Sequence, residues 1–344
     1  MRPIIELISW HNREMRKWFA VPLALALVCS PKVSAWGLTG HVVISRAAVN
    51  ALPPDVPAFV KRQIDWIATR AITPDSYRAA SEPFIKTAED PSHEWHIEQV
   101  TFLKTIPRSR IEFIQALYDD YKRLEKSDPA KAALANPTST GMLPYTTMEV
   151  YERLKVTFRT WRDQQREKQP TSYTEQDAAF YIGWLSHYIA DASQPLHSSI
   201  HHDGWRGENP KNYTRDGALH WGFENDFVDL IGLKDGDIQG RVAAAKTVAD
   251  PFSAILAHLA RANTRVEQVY ALEQQHALTD KSNAAARELV YVCTADGATL
   301  LRDLIYTAWA TSAAPAAPRT GVVQPNDPKN PSYNPATGTA PAPK

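Results

Sequence analysis

The chain has 344 residues, 44% of them hydrophobic, with 38 Lys and Arg against 38 Asp and Glu. That apolar share excludes a disordered or fibrous chain, and the balanced charge excludes the basic field of a protein that lives on duplex DNA. Two cysteines exclude a disulfide framework.

In chain order, Met15-Arg16-Lys17 is basic, residues 18–29 are an apolar run, and Val33-Ser34-Ala35 ends in small residues. This is the three-part layout of a secretory signal peptide at residues 1–35, cleaved after Ala35, with Met15 as the better start. The apolar run is shorter than the roughly 20 residues a membrane-spanning helix needs. Val28 is bulky where a lipid anchor at Cys29 would want a small residue. The expected protein is therefore secreted or periplasmic, without a transmembrane helix, and its mature chain begins at Trp36.

From there the apolar spacing predicts helices over residues 41–52, 55–69, 110–124, 148–161, 174–193, 219–230, 242–272 and 283–309. Pro53-Pro54 stops the first of these. Thr174 and Asp177 read as a capping box opening 174–193, which ends before Pro195. No stretch alternates as a strand does, and Gly-rich phosphate loops are absent from a chain with 14 glycines. The expected fold class is all-α, a single multi-helix domain over 36–312. Residues 313–344 hold eight of the 25 prolines and few large apolar side chains, so they read as a disordered tail.

The chemistry is carried by spacing. His187 and Asp191 lie four apart on one helix face, His197 follows, and His220 and Glu224 lie four apart on another helix. Imidazole and carboxylate at i and i+4 converge on one point, which is how a helix offers two ligands to zinc. One pair alone would read as a surface contact or a satisfied core histidine. Two pairs on separate helices, with His197, His201 and His202 between them, point to metal. Cleavage after Ala35 would also free the α-amine of Trp36. With its own carbonyl, that amine can chelate a metal in a five-membered ring, and His41 follows five residues later.

On Trp36-Gly37-Leu38-Thr39-Gly40-His41, His187-Tyr188-Ile189-Ala190-Asp191-Ala192-Ser193-Gln194-Pro195-Leu196-His197 and His220 with Glu224, the chain resembles the zinc-dependent phospholipase C / S1-P1 nuclease superfamily. The resemblance implies an all-α fold around a cleft with three zinc ions. It implies Asp75, His96, His187 and Asp191 on the first ion, and His197, His220 and Glu224 on the second. The third takes the Trp36 amine and carbonyl, His41 and the far oxygen of a bridging Asp191. His96 is preferred over His93, one helical turn earlier, because Trp95-His96-Ile97-Glu98 looks like the family pattern.

The activity implied is hydrolysis of a phosphodiester by a zinc-activated water, with Asp75, Arg78 and Asp191 as catalytic residues. Arg78 would either fork onto the phosphate oxygens or make a surface salt bridge. The substrate is a phospholipid or single-stranded nucleic acid. Glu224 looks like the phospholipase branch, and Ile97 offers no ring for a base to stack on. The short Trp36–His41 spacing and Gln194–His197 look nuclease-like, and the balance favours phospholipid. Two other classes compete. A di-iron helical bundle would want Glu-x-x-His repeats that are missing here, and a non-catalytic zinc-stabilised module would want closed four-ligand sites.

Overall fold

Helical spacing becomes helix. The computed structural model describes residues 36–316, 326–330 and 332–340; the leader expected at 1–35 lies outside them, as does part of the tail expected at 313–344. Among the described residues there is no β-strand, only isolated bridges between Trp95 and Gly141 and between Asn334 and Thr339. The fold is all-α.

Five long helices carry the body: α1 (Gly37–Asn50), α2 (Leu143–Arg166), α3 (Ser172–Ser193), α4 (Pro251–Asn263) and α5 (Ala284–Thr311). At its centre is α3. Every residue from 185 to 193 is buried, and the helix packs against α1, α2, α4, α5 and the short helix Ile64–Arg70. A stretch of helix buried on every side belongs in a core, while the first turns of α3 keep Ser172, Gln176 and Asp177 exposed. Its small residues Ala190, Ala192 and Ser193 let neighbours approach, and on α1 the hydroxyl of Ser45 bonds that of Ser186. At the far end, Arg162 of α2 stacks on Trp309 of α5 at 3.3 Å and donates to the Trp309 carbonyl at 3.0 Å. Among the described residues no helix is long and apolar enough to cross a membrane.

The differences from the predicted elements have physical reasons. The helix expected at 55–69 starts after Pro57 and kinks at Gln63, giving Ala58–Arg62 and Ile64–Arg70. The capping box at Thr174 is not formed. The helix opens at Ser172, and the Thr174 hydroxyl instead donates to Gln164 on α2 at 2.7 Å. The helix expected at 219–230 is present from Ala218 to Ile231, but as two α segments around a π turn, Gly222–Asp226.

The largest correction is at 242–272. Pro251, which cannot sit inside a helix, opens α4 behind an Asp250 N-cap, and a second helix follows at Val266–Gln274. Residues 242–250 are not helical because α5 captures their backbone. The Lys246 amide donates to Asp303 at 3.0 Å, the Val248 amide to Thr307 at 2.8 Å, and Arg302 to the Ala243 carbonyl. Arg302 is fully buried, and its guanidinium donates twice to Asp303 Oδ1, at 2.9 and 2.6 Å.

That pair sets a first prediction. Asp303→Ala strands a buried guanidinium and the Lys246 amide, so it should destabilise the protein by about 3–5 kcal/mol. Chemical denaturation would measure it. A cost below about 1 kcal/mol would mean that water reaches Arg302.

Candidate metal centre

α3 brings His187 and Asp191 to one face. The ring nitrogen Nδ1 of His187 lies 2.7 Å from the Ala71 carbonyl, which can only accept, so Nδ1 carries the proton and Nε2 the lone pair. That Nε2 stands 3.3 Å from Asp191 Oδ2. His93, at the end of a 3₁₀ turn Asp90–His93, places Nδ1 2.9 Å from the same oxygen and 3.0 Å from His187 Nε2. Asp75, in the turn Thr73–Ser76, reaches to 3.8 Å from His93 and 3.9 Å from His187. His41 of α1 stacks on His187 at 4.4 Å and lies 3.5 Å from Asp191 Oδ1. The two oxygens of Asp191 therefore face two different sets of imidazoles.

A second group is built the same way. His197 sits in the 3₁₀ turn Pro195–Ser198 and donates from Nδ1 to the His93 carbonyl at 2.6 Å. His220 donates from Nδ1 to Asp203 at 2.9 Å. Their Nε2 atoms converge on Glu224 Oε2 at 3.5 and 3.1 Å, and Gln194 donates to that oxygen at 3.0 Å. Glu224 lies in the π turn, a helical irregularity common at functional sites. Among the described residues, Asp191 Oδ1, His197 Nε2 and His220 Nε2 are buried without a hydrogen bond.

Imidazole nitrogens and carboxylate oxygens thus crowd one buried place. Burial, reinforced by the charge of Asp75, pushes the Asp191 carboxyl well above its ordinary range. Burial also holds His93 and His187 well below theirs, towards the neutral form that binds metal. In the second group burial opposes the charges, but Glu224 and Asp203 lift His220 to about 10, and the two histidines draw Glu224 down to about 2. Each group offers at least three nitrogen and oxygen donors with ligand atoms within 4.8 Å of one another, which fits zinc.

Of the residues singled out from sequence, His41, Asp75, His187 and Asp191 come together, and so do His197, His220 and Glu224. His96 does not join them; His93 stands where it was expected. The chain leaves the 3₁₀ turn extended at Glu94, so Trp95 turns into the core against Phe113 and Tyr145. Glu94 and His96 meet His202 instead. Arg78 is mostly buried between Asp75, at 3.7 Å, and Asp90, at 3.2 Å. Trp36 is fully buried, its indole donates to Ser193 at 3.0 Å, and its carbonyl accepts the Gly40 amide at 2.9 Å. Gly37 has a φ of +52°, and a Cβ there would strike Asn225, so the start of α1 sits against the π turn of Glu224.

Sequence reasoning missed three supporting residues. Buried Glu89 accepts from Tyr188 and lies 3.4 Å from His93 Nε2, Asp203 holds His220, and Gln194 holds Glu224. Glu89 was findable, four residues before His93.

The family model described as zinc dependent phospholipase C matches residues 40–231, a span that includes both groups. No curated protein matches the chain. Among solved structures, the chain is similar to the crystal structure of Clostridium perfringens alpha-toxin isolated from avian strain SWCP. The identity is 16% and the TM-score 0.39, over 83% of this chain and 67% of that one.

Two predictions follow from the electrostatics, both for protein stripped of divalent metal by a chelator. Asp191→Asn removes a carboxylate that burial disfavours, so it should raise the melting temperature measured by calorimetry; a lower value would mean that the charge is compensated within the chain. The raised pKa of His220 contributes stability fully below 6.5 that is lost as pH rises through about 10. Depressed Glu224 contributes above 4.5 and is lost as pH falls towards about 2. The melting temperature should therefore fall between pH 7 and 10 more steeply than in His220→Gln. Parallel curves would refute the pairing.

Proposed function

The chain belongs to the zinc-dependent phospholipase C family, and from that premise we propose that it is an exported phosphodiesterase that hydrolyses a P–O bond of phospholipids. The observation that carries this reading is Asp191, whose two oxygens face His41 on one side and His93 and His187 on the other. A carboxylate so divided is suited to sit between two cations.

In this reading Asp75, His93, His187 and Asp191 hold one zinc, and His197, His220 and Glu224 a second. His41, the other Asp191 oxygen and the amine and carbonyl of Trp36 hold a third. Zinc supplies Lewis acidity: it makes water nucleophilic at neutral pH and neutralises charge on a phosphate. The chain does the rest. The Ala71 and His93 carbonyls and Asp203 keep the protons of His187, His197 and His220 on Nδ1, away from the donor atoms. Arg78 offsets the charge of Asp75 and Asp90, which steadies Asp75 as a donor. Ile97 packs against the core and presents no ring to a base, which supports lipid over nucleic acid.

Residues 1–35 are the leader, 36–312 the catalytic body and 313–344 a tail. Removal of the leader creates the Trp36 amine, whose unperturbed pKa of roughly 8 suits metal-driven deprotonation, whereas an amide nitrogen is a poor ligand. Export therefore completes the site.

Zinc-loaded protein beginning at Trp36 should release phosphocholine from phosphatidylcholine vesicles, and a chelator should abolish that release. Hydrolysis of single-stranded DNA or RNA with none of the lipid would overturn the substrate class. Protein retaining a Met before Trp36 should fold, bind one zinc fewer and lose most of its activity. Full activity with the Met confirmed by intact mass would reduce Trp36 to a core aromatic.

A further inference from the structure

The histidine that leaves the expected site has a place of its own. Glu94, His96 and His202 set their ligand atoms within 4.8 Å of one another, apart from the residues assigned above. His96 is buried, and its Nδ1 lies 2.5 Å from the Ser139 carbonyl, so the proton resides there. Its Nε2 lone pair then points at Glu94 Oε2, 2.8 Å away, and makes no hydrogen bond. His202 stacks on His96 at 4.7 Å with an angle of 13° between the rings. Its Nδ1 faces the Ser199 carbonyl at 3.4 Å, which leaves Nε2 as the donor atom. Two ring nitrogens and a carboxylate oxygen converge here on one place.

The surroundings are rigid. Residues 94–96 are clamped by Trp95 N–H to the His197 carbonyl at 2.9 Å, His96 N–H to the Thr140 carbonyl at 2.8 Å, and Leu143 N–H to the Glu94 carbonyl at 3.2 Å. Gly141, at φ +89°, lets residues 141–143 approach, since a Cβ there would strike the Glu94 carbonyl. On the other side, Glu98 accepts from the Ser199 hydroxyl at 2.7 Å and the Ile200 amide at 3.1 Å. His201 turns away to stack on Trp205, so only His202 faces the cluster.

We propose that Glu94, His96 and His202 form a further divalent-cation site, of the zinc type, that ties residues 94–96 to the turn carrying Asp203. Two imidazoles and one carboxylate leave a coordination position for water, as in open zinc sites. Asp203 follows His202 directly and accepts from His220 Nδ1. A cation here thus steadies the group that orients His220, without itself touching substrate.

The test is metal content by mass spectrometry on zinc-loaded, desalted protein. Glu94→Gln and His202→Asn should each lose one zinc equivalent relative to wild type; unchanged stoichiometry in both would overturn the proposal. If a variant fails to fold, wild-type protein with ¹⁵N-labelled histidine rings decides by NMR during zinc titration. Nε2 of His96 and His202 should shift while both Nδ1 signals stay nearly fixed, and Nε2 signals that do not respond would refute the site. Asp191→Asn should keep these two shifts while losing zinc elsewhere. Failure of the functional reading would therefore leave this site intact, and failure of this site would leave the functional reading intact.

Discussion

One constraint orders the molecule: histidines whose protons are pinned to main-chain carbonyls or a carboxylate turn their second ring nitrogen towards buried carboxylates. His187, held by Ala71, and His197, held by His93, both do so. Without a cation each meeting costs free energy, because neither partner keeps its water. The backbone that fixes the tautomers comes from turns far apart in sequence, so the arrangement exists only when the whole helical body is in place. Local propensity cannot create it.

The rest of the fold supplies what this constraint takes away. Around the cluster stand fully buried Trp36, Ile44, Tyr188, Ile189, Phe223 and Phe227. Side chains of this kind contribute about 1.5–3 kcal/mol each on burial. The lone thiol of the body, Cys293, gives no covalent help: burial pushes it up to about 12, and it packs as a small apolar group beside Arg265. Stability rests on packing, on buried pairs such as Arg302 with Asp303, and on whatever cation the cluster holds.

The sequence was most legible where the physics is local. Helical period and i,i+4 spacing identified α3 and the His220–Glu224 helix, and with them the two poles of the site. It was least legible where distant backbone decides. His93 and His96 are equivalent by spacing, and only the extended turn at Glu94, fixed by bonds to residues 140, 143 and 197, sends one inward and the other towards His202. Residues 242–250 carry helical spacing, yet side chains of α5 compete successfully for their amides. Pro251 was the one local sign of that break. For Arg78, sequence gave its charge and its distance from Asp75 but not Asp90, whose carboxylate occupies the guanidinium from the other side.

His93 belongs to both groups at once. Its ring meets Asp191, while its carbonyl sets the proton of His197, which faces Glu224. The two clusters are therefore geared through a single residue. Exchange of the ring alone would empty one cluster and leave the tautomer of the other undisturbed. A small rotation of the peptide at the same position would reach both. A cation held by the His93 ring would thus act on the same residue whose carbonyl orients the neighbouring donor.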